Sequence, residues 1–175
     1  MRRTVSILTL MLLISGLSVM AQSPSTNATQ RVYANLNQLM RGVFYPEANV
    51  VFFAQAENPE EVKIPPGLDV NMSPNPLTSS FGGWQAIENA ALGLAESANL
   101  LLIPGRVCSN GVPAPVTDPA WATFVQEVRD ASMKAYAAAQ AKDQEKIVDI
   151  SETLSNSCSH CHRKWRDRRG ANRCK

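Results

Sequence analysis

The sequence predicts an all-α protein built as an antiparallel four-helix bundle, and three observations predict it. Apolar residues recur at three- and four-residue spacing in four separate stretches, the periodicity of a helix with one buried face. No stretch of useful length alternates polar and apolar residues as a half-buried strand would. One long and two shorter links separate the four stretches, which makes antiparallel packing of neighbours the simplest arrangement.

Residues 1–21, MRRTVSILTLMLLISGLSVMA, place Arg2 and Arg3 ahead of an apolar run from Val5 to Val19 and a Val-x-Ala ending. That is the layout of a cleaved secretory signal. A retained anchor competes with it, but the apolar core is short for a span. Cleavage leaves residues 22–175 as one exported domain, large enough for a single core. It also leaves 15 basic and 15 acidic residues, unevenly placed. Seven cations and one anion lie between Arg163 and Lys175, behind a body of net charge −6. A basic cluster this local is weak evidence for nucleic acid, and export argues against that partner.

The first helix is read from Arg31, with Val32, Leu36, Leu39, Met40, Val43 and Phe44 on one stripe. Pro46 should kink or restart it, and Val50, Val51 and Phe53 continue it. Residues 57–82 hold five of the eleven prolines and therefore predict a long proline-rich loop between helices 1 and 2. The second helix is expected from about Gly83 to Ile103, with Trp84, Ile87, Ala91, Leu94, Ala98 and Leu101 inward, ended by Pro104 and Gly105. The third starts where Asp118 can cap and Pro119 fits the first helical position. Its apolar face carries Trp121, Phe124, Val125, Val128 and Ala135. A short link near Lys142 and Asp143 leads to the last helix, whose stripe reads Ile147, Ile150, Leu154, Cys158, Cys161, Trp165.

The chemistry concentrates in CSHCH, residues 158–162. Three-residue spacing on a helix sets the Cys158 and Cys161 thiols side by side, and His162 projects from the adjoining turn. Two thiols beside one imidazole suit a covalently attached haem c: the thiols form thioethers with the vinyl groups, and the imidazole binds iron. Three alternatives stand beside it. A redox dithiol would need strand and helix alternation around the motif, a zinc site needs a fourth ligand from Cys108, Cys174 or His160, and a plain disulfide leaves His162 without a role. His160, two residues before His162, reads as a solvated residue on the opposite side of the helix. Cys108 and Cys174 are left over; in an oxidising compartment they can pair, or Cys174 can stay free.

The motif with its sequel, CSHCHRKWR, resembles that of the class II c-type cytochromes, the cytochrome c′ family, in which Cys-x-x-Cys-His lies in the last helix of a four-helix bundle. Trp165 stands where that family more often has Tyr or Phe. The resemblance implies that His162 is the proximal iron ligand and that the distal side faces the first helix, where Met40 lies. Met40 is then the expected sixth ligand or, alternatively, core packing. Without that ligation, Leu39, Phe44 and Tyr45 are the candidates to occlude the site.

The expected function is accordingly a periplasmic monohaem c-type cytochrome acting in electron transfer. The alternative is a five-coordinate cytochrome c′ that binds or scavenges NO or CO, and the second alternative is a haem-free helical module with a Cys/His zinc site or a disulfide. No enzymatic activity is expected, since neither haem outcome provides an acid, base and nucleophile around a substrate. Arg163, Arg166, Arg41 and Arg106 are candidates to meet the haem propionates and to steer an acidic redox partner protein. Exposed apolar residues on the first two helices would permit a homodimer.

Overall fold

The structure is a computed structural model that describes residues 30–63, 66–67, 69, 73, 75–78, 80–170 and 173–175. The expected leader at residues 1–21, and Pro65 and Pro74 of the expected loop, lie outside the described residues. Among the described residues the chain forms helices and turns with one isolated antiparallel bridge, between Val107 and Pro113. No helix among them is long and apolar enough to cross a membrane.

Among the described residues four long helical walls pack together. The first runs unbroken through α1 (Leu36–Leu39), a π-helical turn (Met40–Phe44) and α2 (Tyr45–Phe53). It starts at Leu36 rather than Arg31 because Asn35 closes a capping box: its side chain accepts from the Gln38 N–H at 2.9 Å, and the Gln38 side chain accepts from the Asn35 N–H at 3.0 Å. The disturbance expected at Pro46 takes the form of the π turn. Proline brings no N–H, and its ring crowds the carbonyl four residues back; a widened turn, in which the Tyr45 N–H bonds to Met40 O, relieves that crowding without breaking the helix. The helix continues through Val50, Val51 and Phe53 as expected; Val51 is fully buried, whereas Phe53 is 38% exposed at the helix end.

The described residues between 57 and 83 form turns and one 3₁₀ segment (Pro76–Thr78), which drives Leu77 into the core. Gly83 closes this segment, donating its N–H to Leu77 O at 2.8 Å. Its φ of +61° is one that L side chains rarely adopt, and a Cβ there would sit 2.9 Å from Pro59 O.

The second wall is α3 (Trp84–Ser97), tightening into a 3₁₀ segment (Ala98–Leu102). All six residues expected inward are buried. The third, α4 (Pro119–Gln140), begins at Asp118, whose carboxylate accepts from the Ala120 N–H at 2.9 Å. The fourth, α5 (Gln144–Cys161), is capped by Asp143 and passes into a second π turn (His162–Arg166). α3 packs on α4, α4 on α5, and α2 on both α3 and α5, which closes the ring of a bundle. Ala131 and Ala135 of α4 and Ile147 and Leu154 of α5 are buried, and two sealed serines, Ser132 and Ser151, donate their hydroxyl protons to the carbonyls four residues back.

Three consecutive residues join distant parts of the chain. Arg106, 4% exposed, donates through its guanidinium to the carbonyls of Ala34 and Leu100. Val107 O accepts from the Leu36 N–H at 2.8 Å. Cys108 is disulfide-bonded to Cys174, so of the two states left open for these cysteines the structure has the bonded one.

Candidate functional site

A cavity of about 530 Å³ opens between the first and last walls, and Met40, Cys158, Cys161 and His162 all line it. Its size falls in the range of about 300–1,000 Å³ found for ligand and cofactor pockets. Residues remote in sequence reach it because both walls carry apolar positions at regular steps. On the first wall Leu36, Met40, Phe44, Ala48 and Phe52 follow at four-residue intervals. In a pure α-helix such a row drifts by roughly 40° per step, and the wider π turn winds part of that drift back. On the opposite wall Cys158 and Cys161 are half-buried at the end of α5, and His162 opens the second π turn. Each π turn therefore begins at a candidate site residue; such turns occur frequently at functional sites.

Burial sets the protonation of this group. It raises the Cys158 thiol above its usual range. It pushes Cys161 up to about 12, helped by the neighbouring Cys158 and Glu127. His162 is lowered, first by burial and then by the positive charge of Arg166. At neutral pH the site thus presents two thiols and one neutral imidazole with a free lone pair. The thiols of Cys158 and Cys161 are not joined to each other.

The basic residues divide. Arg41 and Arg166 line the cavity together with Lys175. Arg163 is exposed and not part of its wall, and Arg106 is occupied with the Ala34 and Leu100 carbonyls inside the bundle. Among the described residues the wall includes no aspartate or glutamate, so their fixed charge is positive.

The partners of His160 and of Trp165 are not stated by the sequence, which places Trp165 on the inward stripe. His160 is not a plain solvated residue: its Nδ1 lies 2.6 Å from a Glu127 carboxylate oxygen on α4, and its ring packs 5.6 Å from Phe124. Trp165 is buried against Trp121 and Phe124, with ring centroids 5.0 and 5.6 Å away at steep angles. The Trp121 indole N–H donates to Leu101 O at 2.9 Å, which ties this aromatic group to the second wall. Among the described residues, no group of three or more His, Cys, Asp or Glu is placed to hold a metal ion. No protein-family model matches the chain, and neither a curated protein nor a solved structure matches it.

Proposed function

We propose that the chain is an exported monohaem c-type cytochrome of the cytochrome c′ kind that carries single electrons, its haem joined by thioethers to Cys158 and Cys161, with His162 as axial iron ligand and Met40 as the sixth. The observation that carries this reading is the convergence of these four side chains on one cavity from opposite walls of the bundle. The donor set fits the group: two protonated thiols for thioether formation, a neutral imidazole, and a thioether on the facing wall. When bound, haem c supplies reversible one-electron chemistry at its iron.

The chain's own residues would do the rest. Leu36, Phe44, Ala48 and Phe52 form an apolar wall that excludes water and keeps the local dielectric low. Arg41, Arg166 and Lys175 offer cations to anionic groups at the mouth and steer an acidic partner protein toward it. The zinc reading is less well supported, because its extra ligands are committed elsewhere: Cys108 is bonded to Cys174, and His160 pairs with Glu127. Burial raises both thiols, Cys161 up to about 12, which makes them poor sources of the thiolate that zinc binding and redox exchange require. The Cys108–Cys174 disulfide supports export to an oxidising compartment such as the periplasm.

Phe44 and Tyr45, on the same wall as Met40, favour a second reading in which an apolar group screens an open iron site that takes NO or CO. Intact mass and pyridine haemochrome spectra of the full chain, matured in a host with haem-attachment machinery, test the proposal. One covalent haem is the expected result; a processed polypeptide with no porphyrin added overturns it. In Met40→Ala the sulfur-to-iron charge-transfer band of the oxidised form should vanish. An unchanged spectrum in that variant rejects methionine ligation and leaves the second reading.

A further inference from the structure

The Cys108–Cys174 disulfide stands outside the electron-transfer reading, yet Cys174 reaches its site. Cys174 lines the cavity that holds Cys158 and His162, and it also lines a second cavity, of about 410 Å³, bounded by Val112, Pro113, Pro115, Trp165 and Arg168. Among the described residues only Trp165 shares this double position with it. Its partner Cys108 is 1% exposed and lines neither cavity. The two sulfurs of one bond therefore differ in access: an incoming group can approach the Cys174 end through the smaller cavity, while Cys108 is sealed.

The same bond fixes a segment in place. Residues 173–175 are held to the 108–111 turn by the disulfide, by the Ser109 N–H donating to Lys175 O at 2.6 Å, and by the Asn110 side-chain amide donating to Arg173 O at 2.8 Å. The Cys174 N–H adds a bond to Trp165 O at 2.8 Å. These hydrogen bonds work against crowded charge: Arg166, Arg168, Arg169, Arg173 and Lys175 lie close in sequence, with Asp167 the one acidic residue among them. Without the covalent tie, repulsion and chain entropy both favour departure of the segment.

We propose that Cys108–Cys174 is a thiol-exchange site. A thiol reductant entering the smaller cavity attacks Cys174, and loss of the bond unlatches residues 173–175 from the mouth of the larger cavity. In the first step the thiolate sulfur bonds to Cys174 Sγ, the Cys108–Cys174 bond breaks, and its electron pair leaves with Cys108 Sγ, which takes up a proton. A second reductant thiol then displaces Cys174 from the mixed disulfide. The net change is two-electron reduction of the protein disulfide and oxidation of two thiols, or of one dithiol, to a disulfide.

The inference does not depend on the haem proposal, and its test reads both separately. The folded full chain is treated with glutathione, quenched by alkylation and mapped by peptide mass. The first mixed disulfide should appear on Cys174 and not on Cys108. Complete reduction with dithiothreitol should then speed amide hydrogen exchange at residues 108–111, 158–166 and 173–175 by at least about tenfold, since a covalent tie no longer restricts opening. The Cys174→Ser chain, checked for intact helices by circular dichroism, should exchange there as fast as the reduced protein. An adduct on Cys108, or exchange at 158–166 that reduction leaves unchanged, overturns the proposal. The alkylated thiols identify the state of the motif: two after reduction if Cys158 and Cys161 are thioethers, four if they are free.

Discussion

Replacing Trp165 by alanine tests whether the aromatic group behind the motif holds the two cavities apart. The indole is 7% exposed and packs edge-on against Trp121 and Phe124, at 5.0 and 5.6 Å. Truncating a large buried aromatic to alanine costs about 3–5 kcal/mol, most where the surroundings cannot collapse into the void. Here the void opens between cavities of about 530 and 410 Å³ and merges them, so relaxation is minimal. We therefore expect the upper part of that range, about 4–5 kcal/mol, against a total stability of about 5–15 kcal/mol. With a urea m value near 2 kcal/mol/M, the unfolding midpoint should fall by roughly 2 M. Trp165→Phe keeps a ring edge toward Trp121 and should cost about 1–2 kcal/mol. Far-UV circular dichroism in urea is the suitable probe, because tryptophan fluorescence changes with the substitution itself. A loss below about 2 kcal/mol for the alanine variant, or equal losses for alanine and phenylalanine, would refute the reasoning.

Gly83→Ala forces a side chain into φ +61° and sets a Cβ 2.9 Å from Pro59 O, so it should cost at least about 1–3 kcal/mol by urea unfolding. The capping carboxylates Asp118 and Asp143 are held below their ordinary 3.8, first by the backbone N–H groups of Ala120 and Lys146 and then by the side-chain bonds of Lys164 and Lys146. Folded values below unfolded ones give stability that is present above about pH 4 and is lost as pH falls through the folded values. Tm should therefore drop on acidification below about pH 4, and the Asp118→Asn, Asp143→Asn double variant, which keeps the caps, should drop less steeply. On the proposed function, replacing Arg41 and Arg166 by glutamine should slow electron transfer to an acidic protein and flatten its salt dependence, as read by stopped flow at rising ionic strength. A salt slope unchanged from wild type would remove these two cations from partner steering.

What the sequence made legible were the features encoded locally. Ile147, Leu154 and Trp165 lie on one buried stripe, and the Asp118–Pro119 start is where the third helix begins. Helical periodicity and cap chemistry need no knowledge of the rest of the chain. The Asn35–Gln38 box was equally local, but the apolar Val32 ahead of it masked the boundary. The Glu127–His160 pair spans 33 residues and the disulfide 66, and spacing alone does not state such partners. Arg106, a candidate in the sequence to meet the haem propionates, is instead buried, because its burial depends on carbonyls that only the folded chain brings near. At the site the motif itself was plain. Which arginines face the cavity, and that a π turn sits at each of its walls, came from packing.

Residues 106–108 act as the spine of a hinged book. One cover is the wall bearing Met40, bound at Leu36; the other is the edge carrying Cys174; and Leu100 fixes the binding to the back. The gap between the covers is thus gauged at one end by a tripeptide, so a single inserted residue there would reset the aperture on both sides at once. An insertion of the same size at the Lys142 turn, at the tip of the α4–α5 hairpin, would leave that gauge untouched.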